Sequence, residues 1–173
     1  MRVTLRQHPD SSSAAIQAID VDLTRQPEGF VVRYALVGAQ VDVKYPPPKA
    51  PQRADDLWRT TCFEAFLATD DGGYYELNFS PSTEWAVYRF DGYRAGMRPS
   101  DDVGAPRIDV RADGAGYELV ASFGTRPNAT RLGLSAIVEE ADGTKSYWAL
   151  AHPAPRPDFH HAASFALDLL EPT

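Results

Sequence analysis

Proline and glycine interrupt this chain so often that short elements are favoured over long helices. The 173 residues include 14 prolines and 12 glycines, and both residue types break regular structure locally. Between the breaks, polar and apolar residues alternate with the period of a β-strand. About ten short strands joined by turns predict a single all-β domain spanning residues 1–173, built as an antiparallel β-sandwich or barrel.

The most informative stretch runs from residue 57 to residue 90. Residues 61–69 and 74–80 alternate strictly, and the Asp-Asp-Gly-Gly sequence at 70–73 predicts a hairpin turn between them. One face of this hairpin is apolar and is expected in the core: Phe63, Leu67, Tyr75, Leu77 and Phe79. The opposite face carries Glu64, Glu76 and Asn78 among aromatic residues, so a functional site is expected there.

The remaining strands are predicted on the same grounds. They cover residues 2–7, 16–24 with a bulge, 30–38, 84–90, 107–111, 117–123, 132–138, 145–150 and 164–169, with a further hairpin turn at 113–116. The proline-rich loop 45–51 is interpreted as a rigid crossover, and contact with a partner protein is the alternative. Residues 91–106 form a long irregular loop of the kind that often binds ligands.

Charge and composition exclude several partner classes. The net charge of −7 and the pI near 5.0 disfavour nucleic acid and anionic membranes, which are bound through clustered lysine and arginine. No segment resembles a signal peptide or reaches the roughly 20 apolar residues of a membrane span. The single cysteine, Cys62, agrees with a reducing compartment, so a cytoplasmic protein is expected.

Familiar catalytic signatures are missing from the sequence. It contains no GxGxxG, GxxxxGK[ST], GxSxG, HExxH or paired CxxC motif. Cys62 falls within a strand pattern and is expected to be a small buried hydrophobe rather than a nucleophile. His152, Asp158 and His160 in the closing loop offer ligands for a metal ion, although hydrogen-bonded loop histidines are the alternative.

The carboxylates and aromatic residues support two further hypotheses. Glu64 and Glu76, on neighbouring strands, are candidates for the acid and base of a glycoside hydrolase. Aromatic rings form platforms for the C–H face of a sugar while carboxylates and amides bind its hydroxyls. The aromatic candidates are Trp58, Trp85, Tyr88 and Trp148, with core packing as the alternative for Trp85 and Trp148; Arg59 or Arg94 is the candidate for an anionic group of the ligand.

Three segments resemble DOMON-like domains and family 9 carbohydrate-binding modules: LWRTTCFEAFL, YYELNFSPSTEWAVYRF and SYWALAHPAPRPDFHHAASFALDL. The resemblance implies a jelly-roll-like β-sandwich that binds sugars in some members and haem in others. It also implies ligand-facing or supporting roles for Trp58, Glu64, Asn78 and Trp148. A haem-binding version requires axial ligands, and Met97 with His152 or His160 is the available pairing.

The leading hypothesis is therefore a non-catalytic domain that binds a small molecule, a saccharide or sugar-containing metabolite, on the open face of the sandwich. Haem or metal binding comes second, and a hydrolase that uses Glu64 and Glu76 comes third. The sequence does not identify the ligand or the oligomeric state.

Overall fold

A computed structural model describes residues 1–113, 116–126 and 128–169 of the chain. The strands are β1 (Arg2–Gln7), β2 (Ile16–Gln26), β3 (Gly29–Gly38), β4 (Cys62–Thr69), β5 (Tyr74–Phe79), β6 (Trp85–Phe90), β7 (Arg98–Pro99), β8 (Arg107–Asp113), β9 (Gly116–Gly124), β10 (Ala129–Glu139), β11 (Lys145–Ala149) and β12 (Leu167–Asp168). Short 3-10 turns lie at Gln40–Asp42, Leu57–Arg59 and Ala162–Ser164.

The strands pair in the order β7-β6-β5-β4-β10-β11-β1-β2-β3-β9-β8, and β12 pairs with β10. Every pair of these strands is antiparallel. Strand β1 joins two halves, because it pairs with β2 in one and with β11 in the other. The predicted antiparallel all-β class is confirmed.

The two halves pack face to face around one apolar core. The Tyr34 ring of β3 lies 5.0 Å from the Phe63 ring of β4, and the Phe79 ring of β5 lies 5.5 Å from the Phe123 ring of β9. The five hairpin residues expected in the core, Phe63 to Phe79, all belong to this cluster. Burial of each such side chain stabilises the fold by about 1.5–3 kcal/mol.

The central hairpin forms as the sequence predicts. Strands β4 and β5 pair from Phe63↔Phe79 to Ala68↔Tyr74. Within the turn, Gly72 has a φ of 84°, a conformation that glycine adopts without a steric penalty. The Asp71 carboxylate accepts hydrogen bonds from the Thr69 hydroxyl and the Gly73 amide and pairs with Arg89 at 2.7 Å. These contacts fix the register that places the polar face.

The predictions for β2, the final strand and two loops have mixed outcomes. The bulge in β2 is confirmed by a register shift between Ile16 and Ala18. The predicted final strand over 164–169 is wrong in extent: Ala162–Ser164 is a 3-10 turn and β12 is only two residues long. The long loop 91–106 contains the short strand β7. At the predicted 113–116 turn, residues 114 and 115 lie outside the described part of the chain.

The proline-rich segment connects β3 to β4 along the surface of the sandwich. The Lys49 amide donates to the Ser82 carbonyl, and the Tyr45 ring stacks on Tyr117 at 3.9 Å. These contacts agree with a rigid crossover, and a partner contact at 45–51 stays a prediction. In the described part of the chain, none of the helical segments could span a membrane.

Candidate ligand-binding cavity

The polar face of the β4–β5 hairpin is covered rather than open. A second apolar cluster lies on this face, where Leu57 from a 3-10 turn and Phe159 and Phe165 from the closing segment pack over the sheet. The cluster contains Leu57, Cys62, Phe66, Tyr74, Ala86, Tyr88, Phe90, Ile137, Ala149, Phe159 and Phe165. The expected open face is therefore wrong, because the connecting segments bury it.

A cavity of about 710 Å³ remains between the sheet and these covering segments. It is lined by Asp55, Asp56, Trp58, Glu64, Glu76, Tyr88, Phe90, Arg94, Met97, Pro99, Ile137, Tyr147, Pro157, Phe159 and His160. Its volume lies within the range of about 300–1,000 Å³ that small-molecule sites occupy. We call it the site cavity.

Glu64 lies deep in the site cavity. Its position on β4, opposite Asn78 of β5, directs its side chain away from the main core. The residue is only 3% exposed, and its Oε2 accepts a hydrogen bond from the Ser135 hydroxyl at 3.1 Å. Burial, followed by repulsion from Glu76, raises the pKa of the Glu64 carboxyl well above its usual range.

Glu76 lies diagonally across the hairpin from Glu64, on the same face. Its Oε1 accepts a hydrogen bond from the Asn78 amide at 2.7 Å, and its Oε2 lies 3.7 Å from Nε2 of His160. Burial raises the pKa of the Glu76 carboxyl, while the bond from Asn78 opposes that rise. Two carboxyls with raised pKa values thus face one cavity.

His160 connects the closing segment to the hairpin. Its Nδ1 lies 2.8 Å from the Tyr74 hydroxyl, and its ring packs edge-on against Phe66 and Phe90. Burial, with Arg94 nearby, lowers the pKa of His160 to about 4. The imidazole is therefore neutral at physiological pH and does not neutralise the Glu76 carboxylate.

Arg94 reaches the site cavity from the long 91–106 loop. Its guanidinium pairs with Asp158 at 2.9 Å, and Asp158 also accepts from the Tyr93 hydroxyl. The Arg94 amide donates to the Tyr74 hydroxyl from a backbone with a φ of 52°. These bonds hold the loop against β5 and the closing segment, and they offset the cost of about 1–3 kcal/mol for a non-glycine residue in this conformation.

Two aromatic side chains of the site cavity differ in exposure: Trp58 lies at the mouth, whereas Tyr88 is buried. Trp58 is 47% exposed, and the Arg59 guanidinium lies 5.2 Å from its ring centre. Tyr88 donates a hydrogen bond to Asp55 at 2.6 Å, and Arg53 lies 5.1 Å from its ring centre. A large apolar ring left exposed beside a cavity is available to a ligand.

The structure brings five of the predicted site residues to the site cavity: Trp58, Glu64, Glu76, Tyr88 and Arg94. Asn78 is not among the lining residues; it lies behind them and bonds to Glu76. Trp148 is buried in the main core, where its indole N–H donates to Ser146. Arg59 points to solvent and pairs with Asp56 at 3.2 Å.

Several lining residues could not be found from the sequence. Ile137 of β10 and Tyr147 of β11 line the cavity because β10 pairs with β4 and β11 pairs with β10. Phe159 and Pro157 come from the closing segment, which folds back over the hairpin. The sequence signal for that segment is its density of proline and histidine residues.

The metal hypothesis gains no support from the geometry. Within the described chain, no group of three or more His, Cys, Asp or Glu side chains is arranged to hold a metal ion. His152 lies apart from Asp158 and His160: its Nε2 bonds to the Arg6 carbonyl, and its ring packs edge-on against His8. The three predicted ligands are thus not brought together as a site.

The residues present do not fit a haem group either. Met97 and His160 both line the site cavity, as the haem hypothesis requires. However, Nδ1 of His160 is bonded to Tyr74, and Oε2 of Glu76 lies 3.7 Å from Nε2, so a carboxyl oxygen crowds the ring nitrogen that is left for iron. Two buried carboxyls inside the cavity also oppose an anionic porphyrin.

Comparison with solved structures identifies a similar fold. The crystal structure of a candidate carbohydrate-binding protein from Bacteroides uniformis matches this chain with a TM-score of 0.66 and 12% sequence identity. The match covers 95% of this chain and 84% of that protein. No protein-family model and no curated protein match the sequence. At this identity, the similarity shows the fold alone.

Proposed function

We propose that this protein is a non-catalytic domain that binds a saccharide or sugar-containing metabolite in the site cavity. One observation carries the proposal: a cavity of about 710 Å³ combines a half-exposed tryptophan at its mouth with two carboxyls inside. Aromatic rings bind the apolar face of a sugar, while carboxyls bind its hydroxyls. The cavity offers both groups to one ligand.

Different lining residues stack on the sugar ring and bind its hydroxyl groups. Trp58 and Tyr88 are the stacking surfaces, and Glu64 and Glu76 are the partners for hydroxyl groups. Asn78 is a positioning residue, because its amide already holds Glu76. Trp148 is left out of the proposal, since its ring is committed to the core.

The structural comparison supports this proposal. The similar protein from Bacteroides uniformis is described as a candidate carbohydrate-binding protein. A closer relationship to DOMON-like domains or family 9 carbohydrate-binding modules, a jelly-roll topology, a single domain and a cytoplasmic location are parts of the proposal that rest on the sequence.

A glycan screen tests the proposal. Binding of mono- and disaccharides is measured by tryptophan fluorescence and by the rise in melting temperature. Trp58→Ala is expected to weaken a detected affinity about tenfold, or ~1.4 kcal/mol, because a stacking surface is lost. Val41→Ala is the matched control, since Val41 is 88% exposed and does not line the cavity. Unchanged affinity in Trp58→Ala contradicts the proposed site.

A glycoside hydrolase is the second candidate, because Glu64 and Glu76 face one cavity and both have raised pKa values. A hydrolase requires one carboxylate to stay ionised as base or nucleophile. In the described chain, no lysine or arginine forms an ion pair with either carboxyl, which favours binding over catalysis. Turnover of a chromogenic glycoside by the wild type, abolished in Glu64→Gln, would reverse this order.

A further inference from the structure

The charged groups that line the site cavity are mostly acidic. The lining includes the four carboxyls of Asp55, Asp56, Glu64 and Glu76 and one guanidinium, that of Arg94. Arg94 is already paired with Asp158 at 2.9 Å. The whole chain also carries a net charge of −7. The field inside the cavity therefore favours a cation over a neutral or anionic ligand.

Glu64 presents an unpartnered oxygen to this cavity. The residue is 3% exposed and lines the site cavity, and the Ser135 hydroxyl bonds only to its Oε2. Among the described residues, Oε1 of Glu64 has no hydrogen-bond partner. Neither Glu64 nor Glu76 forms an ion pair with a lysine or arginine in the same part of the chain, and a buried carboxylate without a partner is costly.

The aromatic side chains in the cavity walls also favour a cation. Aromatic side chains that line it are Trp58, Tyr88, Phe90, Tyr147 and Phe159. The faces of aromatic rings attract cations, most strongly where water is excluded. Acidic groups inside and aromatic groups around them are the combination that binds an ammonium group.

We propose that the site cavity selects an amino sugar, with Glu64 and Glu76 as the receptor for its ammonium group and the aromatic rings for its ring face. This inference rests on the proposed saccharide function and specifies the ligand class. A neutral sugar leaves the two carboxyls without a counter-charge, and an acidic sugar is repelled by them. An ammonium group donates charge-assisted hydrogen bonds to both.

The pH dependence follows from the groups that face the two carboxyls. Burial raises the pKa of Cys62, Tyr34, Tyr74 and Tyr88, and His160 has a pKa of about 4, so these groups are neutral between pH 5 and 7. Arg94 and Asp158 remain a charged pair, and Asp55 and Asp56 lie on the exposed side. The Glu64–Glu76 pair is thus the titrating unit inside the cavity.

An ammonium ligand binds the ionised form of this pair, so its binding releases protons. Its affinity is expected to rise between pH 5 and pH 7, by at most about tenfold per pH unit for each proton released. A neutral sugar is expected to show no such rise, because it binds protonated carboxyls equally well.

Calorimetric titrations with matched probes test the inference on the 173-residue chain. The probes are glucosamine and its β1,4-linked disaccharide, and glucose and cellobiose, in which a hydroxyl replaces each ammonium group. Cyclohexylamine supplies a ring and an ammonium group without hydroxyls. At pH 7 the wild type is expected to bind the amino sugars at least about tenfold, or 1.4 kcal/mol, more tightly than the neutral sugars. Glu64→Gln is expected to remove that preference.

One control variant and one further test variant accompany this measurement. Asp109→Asn removes one negative charge from an exposed position on β8 and is expected to keep the preference. Glu76→Gln provides a second test of the receptor in case Glu64→Gln does not fold, which the melting temperature shows.

The outcomes separate the inference from the proposed function. Equal binding of amino and neutral sugars, or a preference that survives both Gln substitutions, overturns the inference and leaves the saccharide function standing. Cyclohexylamine that binds as tightly as glucosamine overturns the saccharide assignment. If none of the sugars binds, the inference and the proposed function fall together.

Discussion

Replacing Glu64 by glutamine is expected to stabilise the protein near neutral pH. The carboxyl is almost fully buried, has one hydrogen bond from Ser135, and lies beside Glu76. Ionising such a group in the folded state costs free energy that ionising it in the unfolded chain does not. Glutamine keeps the shape and an acceptor for Ser135 but carries no charge.

The sign of the pH dependence follows from the raised pKa of Glu64 in the folded state. At a pH below the pKa that the Glu64 carboxyl has in the unfolded chain, the folded and unfolded states both hold the proton. The carboxyl then has no effect on the pH dependence of stability. As the pH rises above that value, the unfolded chain releases its proton first, so the free energy of unfolding of the wild type falls.

One proton accounts for at most about 1.4 kcal/mol per pH unit, which gives at most about 2.7 kcal/mol between pH 5 and pH 7. For a chain of this length, that corresponds to roughly 5–11 °C in melting temperature. Urea unfolding of the wild type and of Glu64→Gln is measured across this range, with Asp109→Asn as the control for a lost surface charge.

Taking the difference between wild type and variant also cancels the contribution of His160, which titrates in the opposite sense. The reasoning predicts that the stability advantage of Glu64→Gln grows from pH 5 to pH 7. A difference that stays constant with pH, or a variant that is less stable at pH 7, refutes it.

Three further predictions concern other groups. Burial holds the pKa of His160 at about 4 in the folded state, below the usual imidazole value of 6.5. Stability is therefore lost as the pH falls from 6.5 to 4, by about 3 kcal/mol, and urea unfolding of His160→Phe should show a flatter dependence of stability on pH. Trp148→Ala should cost about 3–5 kcal/mol of unfolding free energy, whereas Trp148→Phe should leave the ligand affinity measured by calorimetry unchanged. Cys62, buried with a raised pKa, should react with a thiol reagent only after unfolding, and rapid reaction of the folded protein would contradict its placement.

Much of the fold follows from local patterns in the sequence. Strict alternation identifies both faces of the hairpin, because strand side chains change sides at every residue. Phe63 and Leu77 on one face and Glu64 and Glu76 on the other are therefore predictable without knowing which strands pair. The turn at 70–73 is equally local, since Gly72 supplies the positive φ.

The covering of the polar face was not predictable in the same way. It depends on the positions of Phe159 and His160. These are set by contacts with distant residues such as Tyr74, which lies 86 positions before His160 in the chain. The burial of Trp148 in the main core also depends on distant contacts. Its ring faces the main core because β11 pairs with β10 in a register that places it opposite Ala136, and the sequence alone does not specify that register.

The placement of a bound saccharide tests the central claim most directly. ¹H–¹⁵N spectra of the full chain are recorded while the tightest-binding sugar of the panel is added. Binding in the site cavity should shift the backbone amides of Glu64, Glu76 and His160 and the indole N–H of Trp58, and leave the indole N–H of Trp148 unmoved. Shifts confined to the outer faces of β2 and β3, with the cavity residues unchanged, would contradict the account.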